Sequence, residues 1–132
     1  VEFRYVVPKS ILIADDSQMV RAGLRRFLER DLGFTVCGEA VDGLDALEMV
    51  PQLEPDLVIL DLAMPRMNGL ETARELRKLP INVPIILFTM HSDALHFRDI
   101  EKAGIDAVVA KTNLRELKQN IENLLVRNGA EV

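Results

Sequence analysis

Residues 57–69 read LVILDLAMPRMNG. The opening run of branched apolar residues does not alternate with polar ones, so it predicts a strand covered on both faces, as in parallel sheets. The run stops at Asp61. After Pro65 it reaches Asn68-Gly69, beyond which Leu70, Ala73 and Leu76 recur at helical spacing until Pro80. This is one strand, an acidic strand end, a loop and a helix. Residues 11–17, ILIADDS, follow the same plan. They end in Asp15-Asp16, and Ser17 is the expected N-cap of a helix that carries Val20, Leu24, Phe27 and Leu28 on one face.

The pattern extends over the whole chain. Apolar runs occur at 10–14 (SILIA), 34–39 (FTVCGE), 56–60 (DLVIL), 84–88 (PIILF) and 107–110 (AVVA). A second helix is expected after Asp42, with Leu44, Leu47 and Val50 inward and a stop near Pro51. A fourth, the least regular, is expected over Asp93 to Ala103, with Gly104 closing it. The last opens on NLRE, where Asn113 and Glu116 can form a capping box, and continues through Leu117, Ile121, Leu124 and Leu125. Repeated β-α units with short connections predict right-handed crossovers and a parallel sheet with helices on both sides. Ligands of such sheets bind beyond the carboxyl ends of the strands.

Composition narrows the function classes. The chain has 132 residues, 48% hydrophobic and 28% charged, which suits one globular domain. No apolar run is long enough to span a membrane. A net charge of −5 argues against direct nucleic-acid binding. Cys37 is the only cysteine, so no intrachain disulfide can form; a reducing compartment and a packing role are expected for it. One cysteine and two histidines make no zinc spacing. The chain begins at Val1 with no visible secretory leader, so a trimmed product is expected.

The predicted strand ends carry the chemistry. They bring Asp15, Asp16 and Asp61 together with Thr89 and Lys111 at one edge. Neighbouring carboxylates about 4 Å apart repel by about 4 kcal/mol at a surface-like dielectric, and without a cation one of the three would take up a proton. Oxygen donors that leave room for water suit Mg²⁺, or Mn²⁺ in its place, better than zinc. A hydroxyl and an ammonium can bind the oxygens of a phosphoryl group, and Asp61 on the middle strand is the expected acceptor. Other chemistries fit less well. An aspartyl phosphatase wants a second acid where Ala63 stands, and nucleotide- or flavin-binding loops want glycines or hydroxyls where ADDSQMV has Ser17 alone.

The motifs ADDS, LDLAMPRMNG, FTMH and VVAK, in that order, resemble the receiver domains of bacterial two-component response regulators over about residues 10–126. The resemblance implies a flavodoxin-like α/β fold, (βα)5, in three layers with strand order 2-1-3-4-5. It divides the chain into an N-terminal extension (1–9), a receiver (10–127) and a tail (128–132). It implies phosphorylation of Asp61 by a sensor histidine kinase or phosphotransfer protein, in a phosphoacceptor rather than an enzyme. Mg²⁺ is implied at Asp16, Asp61 and the Ala63 backbone carbonyl, with Asp15 helping through water. Thr89 and Lys111 match the switch hydroxyl and the phosphate-binding lysine, and Met64 and His91 are expected to flank the site. A cytoplasmic location follows, as does a homodimer through the fourth helix, fifth strand and fifth helix. The first helix resembles receivers that precede DNA-binding domains. Nucleic acid would be reached only through an output domain, and RNGAEV after the last helix leaves none expected here.

Two positions depart from the family pattern. Val108 stands where an aromatic residue usually swings inward on phosphorylation, and Thr112 stands where a cis-proline often follows the lysine. A cis bond before threonine would cost about 3 kcal/mol, so a trans bond is expected. These departures keep open the reading of a degenerate receiver that acts as a constitutive protein-interaction module.

Overall fold

In the computed structural model of the chain, residues 8–90 and 92–127 are described. The expectations for His91, for most of the N-terminal extension and for the tail lie outside them. The apolar runs form strands β1 (Ser10–Ala14), β2 (Thr35–Ala40), β3 (Leu57–Leu60), β4 (Ile85–Thr89) and β5 (Ala107–Ala110). All neighbours pair in parallel, in the order β2-β1-β3-β4-β5. Every residue of β3 and β4 is buried, which accounts for their continuous apolar sequence.

Register determines what meets at the carboxyl edge. Ala14 stands opposite Leu60, Leu60 opposite Leu87, and Thr89 opposite Ala110. The ladder then continues one residue past the strands: Asp15 N–H donates to the Ala40 carbonyl (3.0 Å), Asp61 N–H to Ala14 (2.9 Å) and Lys111 N–H to Thr89 (3.0 Å). The polar residues after the strands are thus held by sheet geometry, although they lie beyond the apolar core.

Alternate strand residues face opposite layers. Leu12, Val58, Leu60, Ile85 and Leu87 pack with Ala46 and Val50 of α2 (Gly43–Leu53) and with Ala73 and Leu76 of α3 (Gly69–Arg77). Ile11, Ile13, Ile59, Ile86 and Phe88 pack against α1 (Gln18–Arg26), the π-helical turn Phe27–Asp31 that follows it, and α5 (Leu114–Arg127). The inward residues expected for α5, from Leu117 to Leu125, are all in this second layer. Ser17 caps α1, accepting the Val20 N–H at 3.2 Å. Asn113 accepts the Glu116 N–H at 3.0 Å, so half of the expected capping box forms.

Two helices differ from expectation. Leu44 is 40% exposed and Ala46 is buried in its place, while Val50 is buried and Leu47 packs half-buried against the core as expected. The cause is Gly43: a Cβ there would stand 2.1 Å from the Thr72 hydroxyl and 2.4 Å from the Met67 carbonyl. That close approach fixes the rotation of α2, so positions 43, 46 and 50 point inward and 44 points out. Pro51 lies within the last turn of α2 rather than ending it, and the helix closes at Glu54 (φ 47°). The fourth helical segment is a 3₁₀ turn, Ser92–Ala94, followed by a short α4, Phe97–Lys102. No residue of α4 is fully buried, Phe97 is 71% exposed and Ile100 alone packs against the core, so little apolar contact supports a longer helix. Cys37 is half-buried against the core, and burial pushes its thiol up, as suits a packing residue.

Ile86 on β4 is fully enclosed. Ile86→Ala should lower the unfolding free energy by about 3 kcal/mol, measured by urea denaturation. Exposed Val126→Ala should stay within about 0.5 kcal/mol of wild type.

Candidate functional site

Asp15 is buried at the end of β1. One of its oxygens accepts the Ser17 N–H (2.8 Å) at the entry to α1, and the other accepts from Lys111 Nζ (2.5 Å). Asp61, 6% exposed at the end of β3, also meets Lys111 Nζ, at 3.2 Å. Asp16 is exposed to solvent beside them. Oxygens of Asp15, Asp16 and Asp61 lie within 4.8 Å of one another, so one cation can reach all three. Thr89 is fully buried at the end of β4, and Ala63 is exposed two residues after Asp61. The structure therefore brings together the strand-end set expected from sequence. Met64 is buried in the core layer of α2 and α3, and Val108 packs half-buried against the same layer. Among the described residues no peptide bond is cis, the Lys111–Thr112 bond included.

The titration of the pair follows from its surroundings. Burial raises the Asp61 carboxyl above its usual range and the Asp15 charge adds to this, while Lys111 and the Ala63 N–H pull the other way. Burial alone would lower the Lys111 ammonium. The hydrogen bond from Lys111 to Asp15, with the charges of Asp15 and Asp61, outweighs burial and holds it above its ordinary value. A buried carboxyl with a raised titration point thus stands beside an ammonium whose own is raised as well. A bound cation or a new anion would alter both.

Three residues that sequence reading missed hold the loops around this set. Arg21 donates to the Asp15 backbone carbonyl (2.6 Å) and to Glu39 (2.9 Å), tying the acidic loop to β2. Asp42, predicted only as the residue before α2, is 5% exposed. It accepts from the Asp45 N–H (2.8 Å), which caps α2, and from Arg66 Nε (2.7 Å). Arg66 lies in the loop after Asp61 with φ 67°, a conformation that costs a side-chain-bearing residue about 1–2 kcal/mol. The same loop is closed by Gly69 N–H to the Leu62 carbonyl (2.9 Å) and by a capping box between Asn68 and Glu71. Gly69 has no alternative, since a Cβ would meet the Asp61 carbonyl at 2.4 Å. Nothing local in the sequence links Asp42 to Arg66, which lie 24 residues apart. The one available signal was an arginine inside PRMNG, where a turn with positive φ would favour glycine or asparagine.

Comparison with known proteins identifies the frame around this site. A family model described as the response regulator receiver domain matches residues 11–122. The chain belongs to that family. The receiver is 38% identical over 118 residues to a protein-glutamate methylesterase/protein-glutamine glutaminase of Pyrococcus abyssi, covering 84% of this chain and 32% of that protein. It is 36% identical over 104 residues to the nitrate/nitrite response regulator protein NarL of Escherichia coli K12, covering 79% of this chain and 48% of NarL. The receiver thus spans half or less of the length of these curated relatives. Among solved structures, response regulator protein TrrA of Thermotoga maritima in complex with Mg²⁺-BeF superposes with a TM-score of 0.80 at 36% identity, covering 89% of this chain and 99% of that one. The strand order expected from the resemblance is the one observed. No helix among the described residues is long and apolar enough to cross a membrane.

Asp42 supplies a pH test. The Arg66 guanidinium and the helix N–H groups of Asp45 and Leu44 hold its carboxyl below the usual carboxylate range. A depressed folded value contributes stability that is present above the unfolded value, about 3.9, and is lost as pH falls through the folded one. Asp42→Asn keeps the helix cap but removes the charge. Wild type should therefore show the higher urea midpoint at pH 7, and the two proteins should converge as pH drops below about 4.

Proposed function

We propose that this receiver is a phosphorylation switch in which Asp61 accepts a phosphoryl group from a histidine kinase or phosphotransfer protein, with Mg²⁺ bound beside it. The observation that carries this reading is the convergence of three carboxylates with Lys111 on one sheet edge, Asp61 being central and paired to the ammonium. The donor set fits a hard divalent cation: oxygen ligands only, one of them exposed to water. Asp16, Asp61 and the Ala63 carbonyl would hold the ion, and Asp15 would hold one of its waters. Bound there, the cation would offset charge on the carboxylates and on the incoming phosphoryl oxygens.

The chain's own residues supply the rest. An Asp61 carboxylate oxygen attacks phosphorus, the phosphorus–nitrogen bond of the donor phosphohistidine breaks, and its electron pair leaves with the imidazole. Lys111, already within 3.2 Å of Asp61, then binds a phosphoryl oxygen, and the Thr89 hydroxyl binds another. An apolar groove of about 430 Å³, lined by Val20, Leu24, Phe88, Met90 and Leu114, adjoins Lys111, so a protein donor reaching Asp61 would contact it. Val108 cannot alternate between ring positions as an aromatic residue does, so closure of the Thr89 loop carries the signal to α4, β5 and α5. A homodimer or an attached output domain would read it there. The complex of TrrA with Mg²⁺-BeF supports the cation assignment by likeness.

Incubation with acetyl phosphate and Mg²⁺, followed by intact-mass measurement, tests the reading. Wild type should gain one phosphoryl group, Asp61→Asn none, and chelation of the metal should prevent the gain. Lys111→Ala should slow uptake on the order of 100-fold. Equal labelling of Asp61→Asn would place the acceptor elsewhere. No labelling of wild type would favour the constitutive interaction module.

A further inference from the structure

The loop between Asp61 and α3 is under local strain that its own hydrogen bonds do not account for. Met67 N–H donates to the Pro65 carbonyl at 2.7 Å, two residues back, which makes Arg66 the centre of a γ-turn. With φ 67° this is the rare, strained form of that turn, here occupied by a residue with a long side chain. Strain of this kind persists only where the surroundings fix it. At this loop they do so twice. The Arg66 guanidinium is docked on Asp42, a buried carboxylate that also caps α2. One residue on, Gly43 lets the start of α2 lie directly against the Met67 carbonyl.

We infer that Arg66 is a positioning residue for the phosphoacceptor loop: anchored on Asp42, it holds the strained turn that fixes how Ala63 is presented beside Asp61. This rests on the reading of Asp61 and Ala63 given above. Arg66 is exposed, and an exposed ion pair ordinarily contributes little. Here the partner is buried and its other oxygen accepts the α2 cap bond, so losing the guanidinium leaves the Arg66-facing oxygen without its cation and the turn unheld. Ala63 stands two residues after Asp61, and its carbonyl lies three residues before Arg66 at the centre of the strained turn. A looser turn therefore spreads the Ala63 carbonyl over several positions and weakens cation binding before any chemistry begins.

The test measures Mn²⁺ affinity by the electron paramagnetic resonance signal of the free ion, and the rate of labelling by acetyl phosphate with Mg²⁺. Both are read in wild type, Arg66→Ala, Asp42→Asn and the double variant. Asp42→Asn keeps Arg66 and the helix cap, so it removes the anchor without altering the turn residue, and far-UV circular dichroism checks that each variant is folded. Each single variant should bind Mn²⁺ about tenfold more weakly and label more slowly, and the double variant should be no worse than the weaker single, as coupled residues require. A purely structural pair would lower the urea midpoint but leave Mn²⁺ affinity and labelling at wild type, which overturns the inference, as would full additivity in the double variant. If wild type neither binds Mn²⁺ nor labels, the fault lies in the phosphoacceptor reading; if it does both and the single variants match it, only the role of Arg66 fails.

Discussion

Among the described residues, one ammonium group, Lys111, stands against three carboxylates at the carboxyl edge of the sheet. When all are ionised, the negative charges outnumber the positive one by two. No rearrangement of Lys111 alone can balance them. It already bridges Asp15 and Asp61, and Asp16 faces water. Burial limits how far solvent screens the imbalance at Asp61, and together with the neighbouring Asp15 charge it raises that carboxyl above its usual range. On the proposed reading, a compact divalent ion bound there would offset the imbalance and let Asp61 carry a further anion.

The imbalance exists because parallel register imposes it. β1 and β3 end level, and backbone hydrogen bonds continue past both ends to hold Asp15 and Asp61 side by side. Lys111 reaches them from β5, two strands from β3, through a backbone bond to Thr89 on the intervening β4. The two apolar layers keep that sheet rigid, because the helices bury alternate residues of every central strand. Charges that would otherwise drift apart are thus fixed by packing free energy gathered far from them.

The parts of this arrangement legible in sequence are those with a local signature. Continuous apolar runs announced buried parallel strands, and the residues after them announced the edge, so Asp15, Asp16, Asp61, Thr89 and Lys111 could be placed before any contact was known. The outward turn of Leu44 could not, since it follows from the close approach of Gly43 to Thr72 and Met67 rather than from any spacing in α2. The brevity of α4 was only half visible, in the irregular periodicity of residues 93–103. The tethers were invisible. Arg21 binds a backbone carbonyl, and Arg66 binds a carboxylate in another loop; neither bond leaves a pattern along the chain. Sequence reported which groups converge, and the structure added what holds them still.

What holds them is unevenly distributed. On the acidic side, Asp15 is fixed through Ser17 and Arg21, and the loop after Asp61 is fixed by Arg66, the Asn68–Glu71 capping box and Gly69. On the other side, β4 runs into a 3₁₀ turn and a helix with no buried residue. Local opening is cheapest where few apolar contacts oppose it. A charge added at Asp61 would therefore meet a stiff wall towards α2 and α3 and a compliant one towards α4. The response would run through Thr89 into that compliant segment without needing a ring to swing at Val108. On the proposed reading, a valine there would narrow the route of the signal without closing it, because a loosely packed α4 could take up the change that a rotating aromatic would otherwise make.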